Sequence, residues 1–225
     1  MHKLLTLISL IISSAALAQS SSLVGSEGPA AGTAINIAVS SYDDRNGDDF
    51  FSEADRIEKK GDLFNAMTLF GKAAFEYNSA HQFANYGSAL LRLSNVHLLL
   101  NNYTEAEQVV LNVALKNYSR IHSAQGEMNA YRQLAKIYLA ANRLTEALWF
   151  STQQGILARQ INSKSGNIES ILGIANVKIK KKQFTLARKD LNQAELLAKL
   201  TNNNAYRSEI NQVRSQIPVH VTPKK

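Results

Sequence analysis

The residue types that most often carry chemistry are sparse in this chain and spaced against it. His81 and His122 are far apart along the chain, and His97 stands alone on a helical stretch. No H-E-x-x-H, G-x-S-x-G or phosphate-cradling glycine loop occurs, and there is no cysteine. A metal or a nucleophile needs several such groups in one patch, so the expectation is no metal, no cofactor and no enzymatic reaction. The nearest approach to a cation site is the stretch Tyr42 to Asp49 followed by Glu53. There Asp44, Asn46, Gly47 and Glu53 keep the relative spacing of positions 3, 5, 6 and 12 of a calcium loop. Tyr42 stands where the first carboxylate belongs, and Asp49 where an apolar residue is normal. The stretch is therefore read as an acidic N-cap for a first helix.

Charge is more informative. The chain has 225 residues and a formal charge of +7. From Ile171 to Lys225 there are 11 Lys or Arg against 3 acids, whereas Gln19 to Ser170 carries 13 against 15. A basic end on a near-neutral body suits an anionic surface or an acidic partner. The basic stretch Lys178, Lys180, Lys181 and Lys182 is its densest part. The same lysines also suit the C-terminus of a helix, where positive charge complements the dipole.

The elements that position these groups follow from a repeat. Ala66, Ala106, Ala147 and Ala187 recur at intervals of about 40 residues, as stacked helical hairpins do. The middle interval is longer than its neighbours by a single position. Leu63, Tyr103, Leu144 and Phe184 lie three residues before these alanines, each preceded by a polar break such as Gly61-Asp62 or Asn142-Arg143. His81 and His122 fall at equivalent turns between hairpins, which accounts for the pair without chemistry. The expected pairs are 49–60 with 63–78, 83–100 with 104–118, 128–141 with 145–160, and 168–182 with 185–200. A last helix over 205–217, capped by Asn203 or Asn204, would carry Tyr206, Ile210, Val213 and Ile217 on one face and cover the end of the stack. Small residues (Ala54, Ser94, Ala135, Ala175) sit where paired helices must approach closely, and Trp149-Phe150 is expected to pack against a neighbouring unit.

These features resemble the tetratricopeptide repeat family, most clearly in Leu93 to Ala106, in Leu134 to Tyr138 with Asn142 to Ala147, and in Ile174 to Val177 with Phe184 to Ala187. The resemblance runs from about Asp48 to Leu200, with a period longer than the family's usual ~34 residues. It implies an all-α, right-handed superhelical array of four antiparallel helix pairs with a C-terminal capping helix. It also implies protein or peptide binding on a concave side lined by the first helix of each pair. Carried over residue by residue, one exposed row is Asp55, Asn95, Lys136 and Asn176, and a second is Phe51, Leu91, Arg132 and Leu172. Asn95, Arg132, Lys136 and Asn176 would stack as donors able to hold a carboxylate or an extended backbone. Asp55 departs from that pattern.

The N-terminus has its own signature. Met1-His2-Lys3, the apolar run Leu4 to Ile12 and the small-x-small Ala16-Leu17-Ala18 read as a signal peptide over 1–18. The Ser-, Gly- and Ala-rich region 19–47 reads as a flexible leader, 48–217 as the repeat domain and 218–225 as a tail. The chain is thus expected to be exported, to the periplasm or outside a bacterial cell, which removes nucleic acid as a partner. The expected function is an adaptor that binds a protein or peptide in its groove. The alternative is a structural envelope protein docked on an anionic surface through its basic end.

Overall fold

A computed structural model describes residues 45–200 and 204–218; the expected signal peptide, nearly all of the leader and the tail beyond Pro218 lie outside them. Every element among the described residues is a helix: α1 (Gly47–Lys59), α2 (Leu63–Ser79), α3 (Phe83–Leu99), α4 (residues 103–120), α5 (Ala124–Ala140), α6 (Leu144–Gln160), α7 (Lys164–Lys180), α8 (Phe184–Leu200) and α9 (Asn204–Arg214). Consecutive helices pack as four antiparallel pairs, and α9 packs on α7 and α8. The fold is an all-α solenoid.

Its regularity comes from the turns. Six of the full helices are 17 residues long. Helices α1 to α7 are each followed by one residue in the left-handed region: Gly61, His81, Asn101, His122, Asn142, Asn162 and Lys182, with φ between 53° and 86°. The next residue's amide closes a six-residue loop, as in Gln82 N to Tyr77 O (2.8 Å) and Arg143 N to Tyr138 O (2.8 Å). This is the glycine-type helix stop made mostly without glycine. His81 and His122 are thus turn residues with a backbone role. An L-residue in this region costs roughly 1–2 kcal/mol, more than the entropy glycine adds to the unfolded chain. The triple change His81→Gly, His122→Gly, Lys182→Gly is therefore expected to raise stability by about 2 kcal/mol, since distant sites add. Urea denaturation checks the sign.

Helix α4 explains why one interval of the repeat is longer than the others. It consists of three six-residue stretches, Tyr103–Gln108, Val109–Ala114 and Leu115–Arg120, one residue more than its 17-residue counterparts. The middle stretch is π-helical, and Leu115 N bonds Val110 O. The extra residue is absorbed as a local bulge, which leaves both ends of the helix in register with the stack.

Helices α5 and α7 begin four residues before their expected starts. Ser123 and Ser163 cap them by accepting from Gly126 N (3.2 Å) and Gly166 N (3.1 Å). Both glycines lie inside the first turn. A Cβ at Gly166 would come within 2.4 Å of Met128 Sδ. Helix α1 starts at Gly47, two residues before its expected start, and Asn46 rather than an acidic residue caps it, in a capping box with Asp49. Helix α9 stops at Arg214, three residues early, but Ile217 is still buried.

The core runs along the stack in three clusters, centred on Phe70 and Leu90, on Leu134 and Tyr138, and on Ile168, Leu191 and Ile210. The recurring alanines are fully buried, and Ser94 Oγ donates to Ala106 O (2.9 Å) where the paired helices meet. First helices of successive units touch one another: α3 meets α5, α5 meets α7, and α7 meets α9. They form the inner row and the second helices the outer one. Helix α9 follows α7 by one full repeat and stands in the place that the first helix of a further unit would take.

One half-buried histidine gives a pH dependence. Burial holds the His97 imidazole below its ordinary value, against a smaller opposite pull from Glu105, and His97 Nδ1 is buried without a hydrogen-bond partner. The unfolded chain therefore takes up a proton at higher pH than the folded one. Stability from this site is complete above the unfolded His value, about 6.5, and falls as acid approaches the lower folded value. His97→Gln is expected to flatten the decline of stability below pH 6.5. Chemical denaturation of both proteins across that range checks it.

Candidate functional site

The row expected along the first helices is split by the structure. In the N-terminal half, α1 and α3 contribute Asp55, Glu58, Arg92 and Asn95. Arg92 pairs with Asp55 (2.6 Å) and with Glu58, and Asn95 Nδ2 donates to Glu58 Oε1 at 3.0 Å. Asn95 is thus committed to a neighbouring unit. Asp55, which breaks the sequence pattern, is satisfied by Arg92 and by Lys59 (2.5 Å), and these cations hold its carboxyl below the usual range, the Lys59 hydrogen bond foremost.

In the C-terminal half the groups converge. Arg132, Lys136 and Asn176 line one cavity of about 210 Å³ formed by α5, α6, α7 and α9. Gln154 and Glu169 join them on its wall, with Glu209 opposite from α9. Arg132 Nη1 donates to Glu169 Oε1 (2.9 Å), Gln154 Nε2 to Glu169 Oε2 (3.3 Å) and Tyr206 Oη to Glu169 Oε1 (3.3 Å). Glu169 is the hub of a network spanning four helices. Among the described residues, the side chains of Lys136, Asn176 and Glu209 have no hydrogen-bond or ion-pair partner. Lys136 is open to solvent yet crowded by the walls; desolvation and, next, the charge of Arg132 hold its ammonium below the ordinary lysine value, opposed by Glu169 and Glu209.

Two small residues sit at the base of the cavity wall. Ser151 is the eighth residue of α6, and the same place holds Phe70 in α2, Val110 in α4 and Leu191 in α8. Gly173 is the tenth residue of α7, where α3, α5 and α9 carry Arg92, Gln133 and Val213. Both line the cavity, and they approach so closely that a Cβ on Gly173 would lie 2.7 Å from Ser151 Oγ. Two repeat positions that are bulky in neighbouring units are small on these facing helices, and α6 and α7 close against each other there.

Several expectations need correction. Leu172, placed in the exposed second row, is 2% exposed, because the turn of α7 carries it into the core beside Ile168. Phe51 and Leu91 of that row are half-buried against the first core cluster. Trp149, expected to pack against a neighbouring unit, is 52% exposed; its indole meets the edge of Phe150, whose own ring stacks on Tyr138. Among the described residues no further layer lies over the outer face of a second helix. The four lysines of the basic stretch do not act as one patch either. Lys178 turns inward and pairs with Asp190 (2.6 Å), while Lys180, Lys181 and Lys182 are exposed at the turn. Sequence reasoning does not reach Glu169, Gln154, Tyr206 or Glu209. Glu169 and Glu209 stand one repeat apart, at equivalent places where the earlier units carry Ser88 and Asn129, and that change of charge was the available signal.

No grouping of His, Cys, Asp or Glu among the described residues could hold a metal ion. No helix among them is long and apolar enough to cross a membrane.

No family model and no curated protein matches the chain. Among solved structures the chain is similar to RapI in its apo form, with a TM-score of 0.66 at 9% sequence identity. The likeness covers 76% of this chain and 62% of the RapI chain, so this chain spans under two thirds of that protein's length. At so low an identity the likeness shows the fold, a helical-repeat solenoid.

Proposed function

We propose that this chain is a long-period tetratricopeptide-type adaptor, without enzymatic activity, that holds a peptide or a segment of a partner protein against its inner row of helices. The observation that carries this reading is the convergence of Arg132, Lys136 and Asn176 in one concave cavity, with Lys136 and Asn176 lacking partners among the described residues. Polar groups held in a fold without partners are ready to meet a ligand at little reorganisation cost. The signal-like N-terminus and the absence of cysteine support a bacterial envelope location, periplasmic or secreted.

The test is selection of a displayed peptide library on the full chain, followed by affinity measurement. Replacing Arg132, Lys136 and Asn176 together by alanine is expected to weaken selected peptides at least tenfold. Replacing Lys180, Lys181 and Lys182 should leave them unchanged. Undiminished binding by the groove variant would remove this reading. A second reading rests on those three exposed lysines, which suit an anionic surface. It predicts capture by phosphatidylglycerol vesicles that fades steeply with salt and is lost in the lysine variant.

A further inference from the structure

The outer row of helices carries most of the apolar surface that the fold leaves open. Of the eight large apolar side chains that are exposed among the described residues, seven lie on second helices. Helix α8 holds three of them, Leu186, Leu196 and Leu200, at 48%, 59% and 71% exposure. At 3.6 residues per turn they fall in one strip about 80° wide and about 21 Å long, together with Lys189 and Gln193. Arg188, Asn192 and Lys199 run along one flank of it. Two of these leucines depart from the repeat. The third place of a second helix holds Asn65, Glu105 and Glu146 in the other units, and the last place holds Ser79, Arg120 and Gln160. Among the second helices, α8 alone is apolar at both.

The charge available at this face has one sign. Both acids of α8 are engaged, Asp190 by Lys178 (2.6 Å) and Glu195 by Lys199 (3.0 Å) and Arg214 (2.8 Å). Lys189 and the exposed Lys180, Lys181 and Lys182 of the turn leading into α8 have no ion-pair partner among the described residues. From this pattern we infer that α8 docks on an anionic lipid bilayer. It lies in the plane of the surface, with Leu186, Leu196 and Leu200 at the boundary of headgroups and acyl chains. Lys180, Lys181, Lys182 and Lys189 meet lipid phosphates. Leucines and lysines side by side suit this occupant, because a long lysine stem follows the apolar side chains inward while its ammonium reaches back to the phosphate level. An acidic folded protein would have to match a ridge, the outer side of one helix, with a groove of its own, whereas a headgroup layer deforms around it. The inference rests on the reading of the basic end as a surface-docking device and is separate from the groove.

The experiment uses the full chain with vesicles of phosphatidylglycerol and phosphatidylcholine, and exploits the absence of cysteine. Gln193→Cys, within the leucine strip, and Thr68→Cys, exposed on α2, each receive a fluorophore. On bound vesicles the label at 193 is expected to be quenched by nitroxide-bearing lipids and the label at 68 to stay bright. Replacing Leu186, Leu196 and Leu200 together by serine should weaken binding at least tenfold with circular dichroism unchanged. It should also remove the binding that persists at about 0.5 M salt, where exposed charges are screened. Phe64→Ser, at an exposed position of α2, should leave binding as it was. A leucine variant that binds as tightly as the parent chain overturns this inference alone and leaves the contact to the lysines. A label at 193 that stays bright on bound vesicles also overturns it. So does leucine-dependent self-association without quenching, which assigns the face to a second copy. Absence of vesicle binding defeats this inference and the surface-docking reading together, while peptide capture decides the adaptor reading separately.

Discussion

Gly126→Ala is expected to lower the stability of the array by about 1–3 kcal/mol, although alanine is the better helix former. The cause is Tyr118, the aromatic that closes the second unit onto the third. Its ring lies between two glycines. A Cβ at Gly126 would come within 2.0 Å of Tyr118 Cδ1, and one at Gly87 within 2.4 Å of Cζ. A ring can usually swing away from one new methyl group, but this one is held from both sides and is 4% exposed. The cost therefore reaches the backbone of α3 or α5. Tyr118→Ala removes the ring and is expected to cost about 3–5 kcal/mol by itself. The pair is then non-additive. In the Tyr118→Ala background, Gly126→Ala should be neutral or stabilising, because only the helix preference of alanine over glycine remains. Guanidinium denaturation of the two single variants and the double variant checks the reversal. A cost for Gly126→Ala that is the same in both backgrounds would show that the ring is not its source.

Ile210→Asp is expected to release α9 from the array. Ile210 is 1% exposed and packs in a cluster with Ile168, Leu172 and Leu191. Truncating a fully buried isoleucine costs about 2–5 kcal/mol, and a carboxylate in the same place adds desolvation. The loss is bounded by the free energy that docks α9, because a helix at the end of a repeat array can leave alone. Hydrogen exchange should show residues 204–217 unprotected while α1 to α6 keep their protection. Tyr206 and Glu209 leave with the helix, so Glu169 loses one donor and the cavity loses its far wall. Uniform loss of protection from α1 onward would mean that the solenoid folds as one unit, against the nearest-neighbour picture.

The architecture was legible in the sequence to an unusual degree because a repeat states the same instruction several times. Ala66, Ala106, Ala147 and Ala187 are all fully buried where their spacing places them. The one longer interval, between Ala106 and Ala147, signalled an insertion, but the sequence does not say that a π-helical stretch absorbs it over Val109–Ala114. The starts of α5 and α7 were not legible, since Gly126 and Gly166 are poor helix formers whose place in the first turn is set by the Tyr118 ring and the Met128 sulfur they touch. The groove residues were half legible. Position in the repeat placed Arg132, Lys136 and Asn176 on one side, but not the pairing of Asn95 with Glu58 or of Lys178 with Asp190.

The sequence by itself determined the period, the small residues at each close approach and the apolar faces that force hairpin onto hairpin. Those are nearest-neighbour properties, and a repeat writes them out in every copy. Tertiary structure alone decided which polar groups were consumed internally and which were left over, because partners such as Arg132 and Glu169 stand 37 residues apart on different helices. It also decided that Ser151 and Gly173 face one another, so that two separate losses of bulk let α6 and α7 approach closely rather than leave two gaps.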